Sequence, residues 1–431
     1  MRISKFNTSL ASENQWFPLP NMVSVNQHFD DTCLSDPVGT LLDELKKPDV
    51  LRQLYKIQEG DTIAIGCGSR GISNSVPLLR SLVSFLKQKG ALPFLFPAMG
   101  SHGGSSEIGQ REILEGYGIT ENNIGAPLQC SMETVPIGLT EDGRQTYLDK
   151  HAYEANHIIA INRIKAHTAF QGPYESGILK MLVIGMGKAK GAQTVHEQGF
   201  DAMADNIQIF GKTILNKAPI LLGIGLLENA YEHTSHIAVL PPTKILEEEP
   251  KLLKIAKSQM GRINFPACDV LIVDRLGKDI SGEGMDPNVT GRFPTELCKP
   301  TFSAQKLAVL DITQNSHGNC YGVGLADITT QDMIDHSDLQ SMYINAITNT
   351  VLHGVKIPLM CKSHMEAIQT AIATCVGIDK KNPKIIRIAN TRDLSTLMIS
   401  EAMLHEAETN VNITITTKPE PLQFTERGNL F

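Results

Sequence analysis

Thr62-Ile-Ala-Ile-Gly66, then Ser75 to Lys87, then Ala91-Leu-Pro-Phe-Leu-Phe-Pro97 decide the fold. The first and third segments are short apolar runs, the signature of buried strands. The second is an amphipathic helix with Pro77 in its first turn. Strand, helix, strand at this spacing predicts a βαβ unit, and hence parallel strands covered by helices.

The rhythm extends both ways. Upstream, Leu41, Leu42, Leu45, Leu51 and Leu54 give a helical pattern that Pro48 splits in two. The first 35 residues show no clear periodicity. Downstream come a helix over Ser105 to Gly116, a strand at His157-Ile-Ile-Ala-Ile161 and another at Pro219 to Gly225. A helix follows over Ile245 to Gln259, where Pro250 marks a break or the true start. After a seam at Gly261 to Pro266 the pattern restarts. Strands are expected at Asp269–Asp274, Lys306–Asp311 and Lys384–Ile388, with helices near Asp332–Thr348 and His364–Val376. The expectation is two α/β domains, residues 1–262 and 263–431, with mainly parallel sheets and a cleft between them.

Composition bounds the function. The 431 residues are 20% charged and 42% hydrophobic, with 35 glycines, as in soluble α/β enzymes. A net charge of -7 without a dense basic run argues against nucleic acid. The eight cysteines form no CxxC pair, so no zinc ribbon or disulfide framework is expected. The opening Met1 to Phe6 leads into no long apolar core. No window approaches the ~20 apolar residues of a membrane helix. The expected setting is cytoplasmic, with no membrane partner.

In such sheets, ligands gather at the carboxyl ends of strands. The residues just after three expected strands are Ser69 and Arg70, then Ser101 and His102, then Lys165 to His167. Two histidines and an arginine are a usable set. Imidazole exchanges protons near neutral pH, and guanidinium grips a carboxylate by two parallel bonds. One acid/base on each face of a substrate is the logic of a racemase or epimerase.

The segment after His167 adds a lysine and a third histidine. Gly172-Pro173 breaks any regular element, and Ser176-Gly177 can start a helix with Ser176 as cap. Lys180 then falls in an apolar run. Its ammonium either snorkels to water or sits desolvated as a nucleophilic amine. His196 follows sixteen residues later, and imidazole is a common transition-metal ligand. Lys188 and Lys190 lie in a glycine-rich turn that reads as solvated surface or as a phosphate contact.

Gly100-Ser-His102, His167, Ser176-Gly-Ile-Leu-Lys180 and His196 together resemble the nickel-dependent lactate racemase family, in its broad sense of 2-hydroxy acid racemases and epimerases. The resemblance covers roughly the first 260 residues well and the rest loosely. It implies a nickel pincer nucleotide attached covalently to Lys180, with His196 as the protein's metal ligand. It makes His102 and His167 the acid/base pair, and Arg70 the grip on the substrate carboxylate. Ser69 and Ser176 are implied contacts to the cofactor's ribose or phosphate. The cofactor's biosynthetic enzymes are implied partners, and hydride moves between substrate carbon and cofactor.

The chain departs from the family in places. Cys67-Gly-Ser69-Arg70 replaces an Asp-x-Thr-Arg segment, and three extra residues separate His167 from Lys180. In the second domain a Tyr-Gln pair is replaced by Thr290-Gly291, and a substrate lysine is missing. Glu283, Asp286, Asn288 and Thr290 there suggest a polar or sugar-acid substrate in place of lactate; a plain turn explains them equally well. Two other classes stay open. A pyridoxal-type Schiff base at Lys180 would leave the histidines unused. A non-catalytic binding homologue would carry no cofactor at Lys180.

Overall fold

The computed structural model describes residues 17–431. The chain divides into two compact units. One is Asp31–Met260, and the other joins the N-terminal segment up to Asp30 to Gly261–Phe431. The expected domain of residues 1–262 is therefore corrected at its start. Strand β1 (Met22–Gln27) buries Val23 and Val25 in the core of the other unit, where it pairs antiparallel with two strands close to the C-terminus. Its partners are far away in sequence, so no local pattern announces it.

The Asp31–Met260 unit carries β2 (Thr62–Cys67), β3 (Leu92–Pro97), β4 (Thr134–Leu139), β5 (Gln145–Asp149), β6 (His157–Arg163), β7 (Ile220–Glu228) and β8 (Thr234–Leu240). Five of them form one sheet in the order β3-β2-β6-β7-β8, parallel except for the antiparallel β7–β8 pair. Strands β4 and β5 make a separate antiparallel hairpin. The apolar faces of the sheet meet helices on both sides, giving two cores. One contains Phe96, Ile158, Leu179, Phe210 and Ile245, and the other Ile63, Leu78, Leu82, Leu95 and Ile224.

Prolines set two helices here. Pro48 opens Pro48–Leu54 just after Pro37–Glu44 ends, as its fixed φ favours. Pro250 instead lies inside the long helix Pro242–Gln259. A proline there removes the N–H that would reach the carbonyl four residues back. That carbonyl, on Leu246, accepts the Tyr174 hydroxyl at 2.6 Å instead.

The second unit holds β9 (Ala267–Leu276), β10 (Ser303–Ile312), β11 (Ile328–Thr330), β12 (Leu359–Cys361), β13 (Ile385–Ile388), β14 (Thr396–Ser400) and β15 (Ile413–Ile415). The sheet order is β12-β11-β10-β9-β13-β14-β1-β15, parallel from β12 to β13 and antiparallel beyond. Both units are thus α/β, with mixed, mostly parallel sheets. The polar residues of 281–292 are engaged locally. Asp286 accepts from the backbone and side-chain nitrogens of Asn288 at 3.0 and 2.9 Å, capping the turn Pro287–Thr290. Thr290 is buried, and its hydroxyl accepts the Arg292 N–H at 3.3 Å.

Candidate functional site

Strands β3, β2 and β6 are neighbours and run parallel, so the loops after Pro97, Cys67 and Arg163 leave from one sheet edge. Those loops carry His102, Ser69 with Arg70, and His167. Glu228, at the end of β7, ties two of them by accepting from the Ser73 N–H at 2.7 Å and from the Arg163 guanidinium.

Glu175 shapes the third loop. Fully buried, it accepts from the backbone N–H of His167 at 2.8 Å and of Gly172 at 3.0 Å, and pairs with Lys257. Ser176 pairs through its backbone with Lys165, closing the loop. It does not cap the next helix as its sequence position suggests. That role falls to Glu249, whose carboxylate reaches across from Pro242–Gln259 to accept the Leu179 N–H at 2.9 Å. Gly177 makes room: a Cβ there would lie 2.1 Å from Glu249 Oε1. Burial pushes the Glu249 carboxyl up to about 8, against the lowering effect of the Leu179 and Ile178 amides.

Lys180 ends the short helix Ile178–Lys180, and the apolar run beyond it, Met181–Gly185, winds as a π-helix. Such turns are rare and frequent at functional sites. Lys180 is half-buried, and its charge lowers the pKa of both His167 and His196. The larger cause in each case is burial; Lys165 also acts on His167. The His167 ring lies 4.3 Å from Phe170 and 6.3 Å from Phe200, and the His196 ring meets Phe200 edge-on at 5.7 Å. The structure thus brings Lys165, His167, Lys180 and His196 together around Phe170 and Phe200.

The three imidazoles differ in their hydrogen bonding. A carbonyl only accepts, so His102 Nδ1, 2.7 Å from the Met99 carbonyl, carries a proton. His196 Nδ1 does the same toward the Ala192 carbonyl at 2.6 Å. In the neutral rings Nε2 then holds the lone pair. His167 is reversed: its Nδ1 accepts the Ala169 N–H at 3.0 Å, so the neutral ring is protonated at Nε2.

The His102 loop is joined to the segment between Lys180 and His196. Gly100 donates to the Gly185 carbonyl at 3.0 Å, and a Cβ on Gly185 would lie 2.5 Å from the Ala98 carbonyl. Arg70 is exposed and donates to the Ser69 carbonyl at 3.3 Å. Ser69 is half-buried beside Gly68, whose Cβ position lies 3.2 Å from Asn162 Oδ1 and 3.5 Å from Met181. Lys188, whose glycine-rich turn reads equally as solvated surface or as a phosphate contact, has no exposure at all. Among the described residues no three His, Cys, Asp or Glu side chains group to hold a metal.

No family model and no curated protein matches the chain. It is similar to a solved lactate racemase. That structure is the lactate racemase apoprotein from Thermoanaerobacterium thermosaccharolyticum, matched over 87% of this chain and 99% of that one, at 11% identity and a TM-score of 0.48. At this distance the likeness says nothing of which residues act. No helix among the described residues is long and apolar enough to cross a membrane.

Proposed function

We propose that this chain is a racemase or epimerase of a 2-hydroxy acid, working with a nickel pincer nucleotide held by Lys180 and His196. The observation that carries the reading is the set of opposed imidazole tautomers, next to a lysine whose charge acts on two of the three rings. His196 suits the metal role. A metal-ligating imidazole must be neutral, with its other nitrogen bonded to orient the ring. Its depressed pKa and its bond to Ala192 meet both needs. The metal's further donors would come from the nucleotide. When bound, that group supplies a hydride acceptor.

The chain's own residues then handle binding and protons. His102 Nε2, as the lone-pair nitrogen, takes the hydroxyl proton. The imidazolium so formed returns that proton to the same oxygen when the hydride comes back, while the neutral His167 Nε2–H holds the oxygen by a hydrogen bond. Burial keeps His167 neutral at pH 7, so its proton belongs to the donor tautomer and not to an imidazolium. Arg70, exposed at the same sheet edge, grips the substrate carboxylate, and Ser69 and Ser176 face the nucleotide. The deciding experiment is co-expression with the cofactor's biosynthetic enzymes, followed by intact-mass and metal analysis. A mass adduct and bound nickel are expected. Both should vanish as a unit in Lys180→Ala, while His196→Ala keeps the adduct and loses nickel. An adduct of unchanged mass in Lys180→Ala refutes the assignment.

A further inference from the structure

Lys188 opens the helix Lys188–His196 from an uncommon backbone position, φ 54, where glycine would be at ease. Its side chain is completely buried. The ammonium donates to the Pro97 carbonyl at the end of β3, donates to Gln110 Oε1 at 3.2 Å, and lies 3.1 Å from the unexposed Asp149 Oδ2. The Phe96 ring stands 5.8 Å from it.

Each partner leads to a segment of the site. Gln110, also fully buried, turns its Nε2 to the carbonyls of Gly100 at 2.9 Å and His102 at 3.3 Å. Asp149 donates its backbone N–H to the Met186 carbonyl at 2.7 Å, one residue past the π-turn that follows Lys180. Its other oxygen accepts the Ala152 N–H at 2.9 Å. One buried cation therefore touches the strand that launches the His102 loop, the side chain that holds that loop, and the acid anchored beyond Lys180. A buried ion pair is a poor source of stability, because apolar residues of the same volume do as well or better.

We infer that Lys188 is a positioning residue, whose ammonium fixes the His102 loop onto the segment bearing Lys180 and His196. Its catalytic consequence rests on the function proposed above; the ordering of the loop does not.

The test uses the full chain as Lys188→Met, as the charge-balanced pair Lys188→Met with Asp149→Asn, and as Gln110→Met, which leaves the ion pair intact. Amide exchange read by peptide mass should quicken on the order of tenfold across residues 98–106, the effect of losing a buried bond or two. Peptides from β2 and β6 should keep wild-type exchange. The pH profile of His102 carbethoxylation should move, while that of exposed His28 stays put. In cofactor-loaded enzyme kcat should fall with KM nearly unchanged. Wild-type exchange and a wild-type His102 profile in the folded variants would overturn the inference. So would unfolding of both Lys188 variants with an unaffected loop in Gln110→Met, since Lys188 would then support only the core. A loosened loop in a protein that racemises no 2-hydroxy acid would sustain the inference and remove the proposed function.

Discussion

Glu249→Gln should change how the stability of this protein depends on pH. The Glu249 carboxyl is buried, with its pKa raised from 4.5 to about 8, mainly by desolvation. In the unfolded chain it titrates in the ordinary carboxylate range. Between these values the folded state holds a proton that the unfolded state has released. Stability from this group is therefore full below about pH 4.5 and is lost as pH rises through about 8. At ~1.4 kcal/mol per pH unit the gap amounts to roughly 5 kcal/mol. Glutamine mimics the protonated acid, still offers an oxygen to the Leu179 N–H, and does not titrate. Urea unfolding of both proteins from pH 5 to pH 9 measures the difference. The variant should match wild type near pH 5 and be the more stable near pH 9, by an amount approaching that figure. Parallel curves would mean that Glu249 is solvated or charged at neutrality, and the reasoning would fail.

Tyr174→Phe should cost about 1–3 kcal/mol, because the Leu246 carbonyl loses its acceptor bond. Adding Pro250→Ala should recover much of this by restoring a helical N–H, and thermal melts of the four proteins in the cycle check it. Replacing either His102 or His167 by asparagine should lower racemisation by about 10²–10⁴. Near-wild-type turnover in either variant would exclude the two-histidine scheme. Turnover of lactate, malate and gluconate by loaded enzyme tests the expected preference for a polar or sugar acid over lactate. Lactate as clearly the best substrate would rule that preference out.

The parallel core of the Asp31–Met260 unit was legible because β2, β3, β6 and β7 are short apolar runs, punctuated by glycine and proline and separated by amphipathic helices. The placement of Arg70, His102 and His167 after neighbouring strands followed from the same rhythm. What stayed hidden depends on contacts across the sequence. Strand β1 is defined by its partners β14 and β15. Glu249 sits in an acidic run, Glu247 to Glu249, that looks like a solvated helix face; only the helix's contact with Leu179 and the gap at Gly177 reveal it. Lys188 was hidden by its glycine-rich surroundings, which resemble a surface turn. Glu175 lies in a loop whose closure depends on Lys257, far along the chain. The tautomers of the three histidines turn on backbone groups two to four residues away, which no spacing rule reads.

The route of β1 bears on the order in which the molecule is made. Residues 31–260 emerge from the ribosome with every strand of their own sheet before β9 has been translated, so that unit can close early. Strand β1 emerges earlier still, yet both its neighbours, β14 and β15, are synthesised only after β13. Until they appear it is an open edge in search of a partner, the condition that invites pairing with another chain. Its sequence, Met-Val-Ser-Val-Asn-Gln, alternates apolar and polar residues from Val23 to Asn26 and bears no charge that would discourage such pairing.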